Sequence, residues 1–161
     1  MKFLILDVYT IESQKNGLPP AHLLIFLHPS NKYPTPDDID KIISVEIPSE
    51  QDSRELYQLV KSHMIHGPCG LANKLSPYMK NGKCTRYYPK KFQNVTIMDQ
   101  DGFPIYRRRD HGNSIEKGGL TLDNRSVVPY NPMLLLKYQA QINMEWCSQC
   151  TSIKYLFKYI K

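Results

Sequence analysis

Near the end of the chain, Tyr155 and Tyr159 in TSIKYLFKYIK are spaced for one kind of chemistry. At roughly 100° per residue, a helix there puts Ile153, Leu156, Phe157 and Ile160 in one stripe about 100° wide. Measured from Ile153, Tyr155 and Tyr159 lie at roughly 200° and 240°, one turn apart and off that stripe. Lys154, Lys158 and Lys161 form a flank about 60° wide beside them. Two phenols next to ammonium groups suit phosphodiester chemistry, in which a tyrosine oxygen attacks phosphorus and holds the cleaved strand covalently. A phenol of pKa about 10 needs a nearby cation to act at neutral pH, and the scissile phosphate needs a metal or a lysine to take up developing charge. The plain alternative is that both rings pack on another element or sit at the surface.

A histidine opens the apolar run of GLPPAHLLIFL. Side chains two apart on a strand share a face, so a partner ligand for His22 would stand at position 20 or 24. Those positions are Pro20 and Leu24, which leaves His22 either as half of a metal site or as an ordinary core histidine. Between residues 74 and 91, Lys74, Lys80, Lys83, Arg86, Lys90 and Lys91 interleave with Tyr78, Tyr87 and Tyr88, with no acid among them; Arg107, Arg108 and Arg109 follow. Such a mixture suits a phosphate backbone with bases stacked beside it, and a solvated basic loop is the competing reading. Residues 31 to 60 are the reverse, with seven acids against three bases.

These residues need elements to position them. Residues 3 to 9 and Ala21 to Leu27 look like neighbouring strands, the second apolar on both faces and so expected mid-sheet under helices. Thr35, as N-cap, and Pro36 start a helix expected to run to about Val45. A second start at Ser49 or Asp52 leads into Leu56, Leu59, Val60 and Met64 on one helical face. Gly67 to Lys91 reads as a long basic loop. Residues 95–98 and 103–107 form a hairpin about DQDG, and a smaller one turns at Lys117, Gly118 and Gly119. Met133 to Tyr138 reads as a short helix, Gln141 to Trp146 alternates like a strand, and a helix from about Gln149 to Lys161 closes the chain. With no internal repeat or linker, the expectation is one α+β domain, residues 1–161, on a mostly antiparallel sheet.

Composition sets outer bounds. With 161 residues, 41% hydrophobic and 11% aromatic, the chain is globular in type and fits one domain. No apolar run is long enough to cross a bilayer, so no membrane partner is expected. MKFLILDVY is interrupted by Asp7 and reads as a strand, not a signal peptide, which makes an intracellular location the expectation. Four cysteines there are thiols or metal ligands rather than a disulfide framework.

The segments TIESQKNGLPPAHLLIFL, DDIDKIISVEIP, MIHGPCG, MKNGKCTRYYPKKF, GFPIYRRRD, LDNRSVVPYNPMLLLKYQAQIN and IKYLFKYIK resemble, in order, the helitron helicase-like domain of plant rolling-circle transposons. The similarity covers nearly the whole chain. That family resembles the HUH replication initiators, named for two histidines flanking an apolar residue on a central strand. The resemblance implies a nuclear enzyme of HUH-endonuclease fold that nicks and rejoins single-stranded DNA. Paired histidines and a third ligand would hold Mg²⁺ or Mn²⁺, the metal would polarise the scissile phosphate, and tyrosines would attack it. Tyr155 and Tyr159 match the paired tyrosines, His22 matches the second metal histidine, and Glu12 is the candidate third ligand. Lys80, Lys83, Arg86, Lys90, Lys91, Arg107, Arg108, Lys154 and Lys158 would guide the strand.

Departures from the family pattern matter as much. Pro20 stands where the first metal histidine belongs, and its ring nitrogen is no ligand, so metal binding and nicking are expected to be impaired. His66 and Cys69 form an H-x-x-C pair with Cys84 beyond, and Tyr78 stands where the family tends to place another cysteine. Three ligands leave a structural zinc site incomplete, so zinc is not expected. Cys147 and Cys150 have C-x-x-C spacing without a companion pair, and ordinary packing is the expectation. Met1 falls just before the strand leading to His22, so the family's earlier strands are expected to be missing. The helicase that follows in family members, and its Gly-Lys-Ser/Thr phosphate loop, are not found here, so ATP binding is not expected. The resulting expectation is a decayed initiator domain, with a non-catalytic single-stranded nucleic-acid-binding module as the alternative.

Overall fold

The computed structural model describes residues 4–11, 21–28, 35–70 and 73–147. The chain divides into two compact units, Thr35–Trp146 and a second made of Met1–Pro34 with Cys147–Lys161. Tyr155, Tyr159, Lys154, Lys158, Glu12, Pro20 and Cys150 lie outside the described residues, as does the segment expected to form the closing helix.

In the smaller unit, β1 (Leu4–Ile11) and β2 (Ala21–Leu27) pair antiparallel, with Thr10 opposite His22 and Asp7 opposite Ile25. Side chains alternate along β2: His22, Leu24 and Phe26 are half-buried, whereas Leu23 is 56% and Ile25 46% exposed. The expected mid-sheet strand covered on both faces is thus corrected. Among the described residues β2 has one partner, and a two-stranded ribbon leaves one face to water.

Two helices open the larger unit. In α1 (Pro36–Asp40), the Thr35 hydroxyl accepts from the Asp38 N–H at 3.2 Å and Pro36 occupies the first turn, where a missing N–H costs nothing. The helix ends at Asp40, not near Val45. Ser44 leaves it to exchange two backbone hydrogen bonds with Tyr130, at 2.8 and 2.9 Å, so the chain is already extended there. In α2 (Arg54–His63), Val60 lies at the centre of an apolar face that Met64 continues one turn on.

Six short strands follow: β3 (Met79–Lys80) with β4 (Lys83–Cys84), β5 (Ile97–Met98) with β6 (Pro104–Ile105), and β7 (Ile115–Lys117) with β8 (Leu120–Leu122). Each pair is an antiparallel hairpin. The two hairpins expected after Asn94 are present, while the one inside the expected basic loop is a finding. Its turn is Asn81-Gly82, with φ of 52° and 74°, the left-handed pair that lets a two-residue loop follow strand twist. In α3 (Pro132–Tyr138), the Asn131 side chain caps the Leu134 N–H at 2.8 Å, and α3 packs on α2. Gln141 to Trp146, expected as a strand, pairs with no strand among the described residues. Instead the Met144 N–H reaches the Pro129 carbonyl at 3.0 Å and the Trp146 N–H reaches the Tyr106 hydroxyl at 2.9 Å.

The core of this unit joins Ile47, Val60, Met64, Ile65, Ile115, Val127, Tyr130 and Leu135. Burying each aliphatic side chain contributes about 1.5–3 kcal/mol. One polar node runs through it. Asn124 is buried, accepts from the Ile47 N–H at 2.7 Å and donates to the Arg109 carbonyl at 2.7 Å. The fold is therefore mixed helix and strand with antiparallel pairing, as expected. The expected single central sheet is corrected to four separate two-stranded sheets among the described residues. No helix among the described residues is long and apolar enough to cross a membrane.

Candidate functional site

His66 sits just past α2, where Ile65 bridges Val127 and the His66 N–H binds the Ser126 carbonyl at 2.9 Å. Three residues on, past Gly67-Pro68, Cys69 Sγ lies 3.2 Å from His66 Nε2. Cys84 enters from β4, and its Sγ lies 3.4 Å from the same nitrogen. The three ligand atoms all lie within 4.8 Å of one another. Ser76, buried, places its Oγ 3.3 Å from Cys69 Sγ. Aromatic rings hold the imidazole: Tyr88 stacks on it at 4.2 Å and 17°, and Tyr78 lies tilted at 4.8 Å.

Local electrostatics favour a neutral imidazole beside an acidified thiol. Burial, with Lys90 and Arg86 nearby, holds the His66 pKa below the ordinary imidazole range. Burial pushes the Cys69 thiol up, reinforced by its neighbour Cys84. Burial also pushes Cys84 upward, but the backbone N–H groups of Tyr88 and Arg86, the Cys69 thiol and the Lys90 charge outweigh it, and its pKa falls. A borderline-soft divalent cation is what such a donor set accepts.

Beside this cluster runs the basic and aromatic surface. Lys80 and Lys83 are directly opposed across the β3–β4 turn and both are exposed; like charges so placed repel. Arg86 and Lys91 are exposed as well. Lys90 is half-buried, with its ammonium 5.0 Å from the Tyr88 ring centre and 5.7 Å from that of Tyr87. Tyr87 is 81% exposed and has φ of 58°, a left-handed backbone that costs a non-glycine residue about 1–2 kcal/mol.

The RRR run separates into three roles. Arg107 pairs with Asp40 at 3.3 Å. Arg109 forms a forked pair with Glu46, at 2.9 and 2.7 Å. Arg108 is only 4% exposed and donates to the carbonyls of Asn124, Val45 and Val127, the last at 2.9 Å. Its expected place on the nucleic-acid surface is therefore corrected: the guanidinium is sealed in the core, where burial pushes its pKa down to about 10. Reading the composition of the run could not reveal this, because three identical side chains differ only in the carbonyls they meet. Ser76 and Tyr88 also escaped notice as neighbours of the cluster. The Asn-Gly dipeptide between Lys80 and Lys83 was the signal that could have brought Cys84 back toward Cys69.

At His22 the described residues do not assemble a site for Mg²⁺ or Mn²⁺. The strand supplies one imidazole, position 20 is a proline, and among the described residues the three-ligand grouping is at His66, Cys69 and Cys84 instead. No protein-family model matches this chain, and no curated protein matches it.

Proposed function

We propose that this chain binds single-stranded nucleic acid through the β3–β4 hairpin and the residues after it, as a helitron-type rolling-circle initiator domain of HUH lineage whose nicking chemistry is disabled. The observation that carries the binding is the exposed set Lys80, Lys83, Arg86, Tyr87 and Lys91 on one short stretch. A phosphate backbone relieves the repulsion between the facing lysines, and a base stacked on Tyr87 compensates its strained backbone. The lineage rests on the ordered sequence resemblance. In it Tyr155 and Tyr159 are the inherited nucleophiles, His22 and Glu12 the remnant of a metal set, and Pro20 the lesion.

Anisotropy of a labelled oligothymidylate tests the binding. Four exposed cations on phosphates give a log–log salt slope of about −3, and replacing Lys80, Lys83 and Arg86 by alanine reduces that slope by about 2. A flat salt response rejects the proposal. For the lineage, a labelled single strand with Mn²⁺ should give little covalent product with the natural chain and a recovered one with Pro20→His. Efficient transfer to Tyr155 without that change would show that Pro20 is no lesion.

A further inference from the structure

We infer that His66, Cys69 and Cys84 form a zinc site with three protein ligands and one solvent position, separate from any metal chemistry at His22. The argument begins with a single atom. His66 Nε2 is approached by both sulfurs, at 3.2 and 3.4 Å. A ring nitrogen carries either one proton or one lone pair, so it cannot make two good hydrogen bonds along one direction. A cation in the middle satisfies all three donors at once.

The distances agree with that occupant. Tetrahedral zinc, with Zn–S about 2.3 Å and Zn–N about 2.0 Å, sets its ligand atoms roughly 3.5–3.8 Å apart. The two nitrogen–sulfur separations, 3.2 and 3.4 Å, fall a few tenths of an ångström or less short of this range and the whole trio spans no more than 4.8 Å, so small outward rotations of the cysteine side chains admit the ion. Two thiolates and one imidazole favour zinc over magnesium or calcium, which take oxygen ligands. Both thiols give up a proton on binding, and the protons pass to solvent.

Surrounding groups suit the same role. The Ser76 hydroxyl is placed to hydrogen-bond the Cys69 sulfur at 3.3 Å, a supporting contact of the kind that orients metal ligands. Tyr88 and Tyr78 flank the imidazole and limit its rotation. A cavity of about 150 Å³, bordered by His66, Cys69, Tyr88, Asp123 and Arg125, adjoins the cluster and has room for the water that completes four-coordination. The ion would tie the segment after α2 to β4 and so fix the base of the hairpin that carries Lys80 and Lys83.

The test uses the full chain purified under reducing conditions. Elemental analysis should find one zinc per chain, and cobalt(II) put in its place should give ligand-field bands with sulfur-to-cobalt charge transfer for two thiolates. Cys69 and Cys84 should resist alkylation until a chelator is added, while Cys147 is alkylated at the same rate with and without metal. Cys69→Ser and Cys84→Ser should each weaken zinc retention by at least about a hundredfold, and Ser76→Ala by about tenfold. Cys147→Ser should leave one zinc in place. The inference is overturned if the reduced chain binds no zinc, if zinc is lost with Cys147→Ser but kept in both other cysteine variants, or if Cys69 and Cys84 alkylate at the same rate with and without metal. Cobalt spectra and thiol protection are read on the natural chain, so a variant that fails to fold does not spare the inference.

Discussion

Glu46 is the residue on which the pH response of the larger unit turns. Its carboxylate is largely buried and receives the Arg109 fork and the Arg109 backbone N–H at 2.8 Å, with the His111 ring nitrogen 3.7 Å away. Burial alone would raise its pKa, but the hydrogen bonds and charge of Arg109, with His111, more than offset this, and the folded value lies below the ordinary one. A carboxylate held low contributes stability above its unfolded pKa of about 4.3 and loses it as pH falls through the folded value. Glu46→Gln should cost about 1–2 kcal/mol at neutral pH and flatten the acid limb of a stability–pH curve followed by urea melts. An acid limb unchanged by the substitution would remove Glu46 from that role. The residue scale is also where sequence reading was least able to see. Arg108 and Arg109 are chemically identical and adjacent, yet one is sealed among carbonyls and the other faces Glu46, a distinction set by contacts sixteen or more residues away.

Elements with a local physical cause were legible: Thr35-Pro36 and Asn131-Pro132 open helices with their caps, and Gly118-Gly119 turns a hairpin with φ of 61° and 74°. What escaped were elements made by distant partners. The segment after Asp40 abandons helix because Tyr130 supplies its backbone bonds, and Gln141 to Trp146 alternates in sequence yet finds no strand beside it among the described residues. Of the candidate site, the H-x-x-C pair was visible as spacing, whereas the approach of Cys84 depended on the overlooked β3–β4 turn. Gly82 tests that turn. A Cβ added there would meet nothing within 4 Å, so the cost of Gly82→Ala comes from backbone conformation alone, with φ of 74°. Roughly 1 kcal/mol of destabilisation is expected, seen as a lower midpoint with an unchanged denaturant slope. A neutral or stabilising outcome would mean that the turn is not the left-handed one described.

At the scale of the whole molecule, apolar burial among the described residues is unevenly shared. Every side chain of the core cluster belongs to Thr35–Trp146, whereas the described part of the other unit is a hairpin with one exposed face. Residues 35–146 expressed alone should therefore melt cooperatively, within a few degrees of the full chain's main transition. A broad, featureless transition would show that this core is not self-sufficient, and the same result for the full chain would identify a sequence that no longer folds. The net charge of +6 acts at this scale too, and in the proposed binding it would contribute long-range attraction before any particular contact forms.

Trp146 is the sole tryptophan of the chain, half-buried at the last residue of the larger unit and tethered through its backbone N–H to the Tyr106 hydroxyl. Its emission is thus a built-in optical reporter: selective excitation of the indole follows the loosening of that tether against Tyr106, with no second indole to confuse the signal.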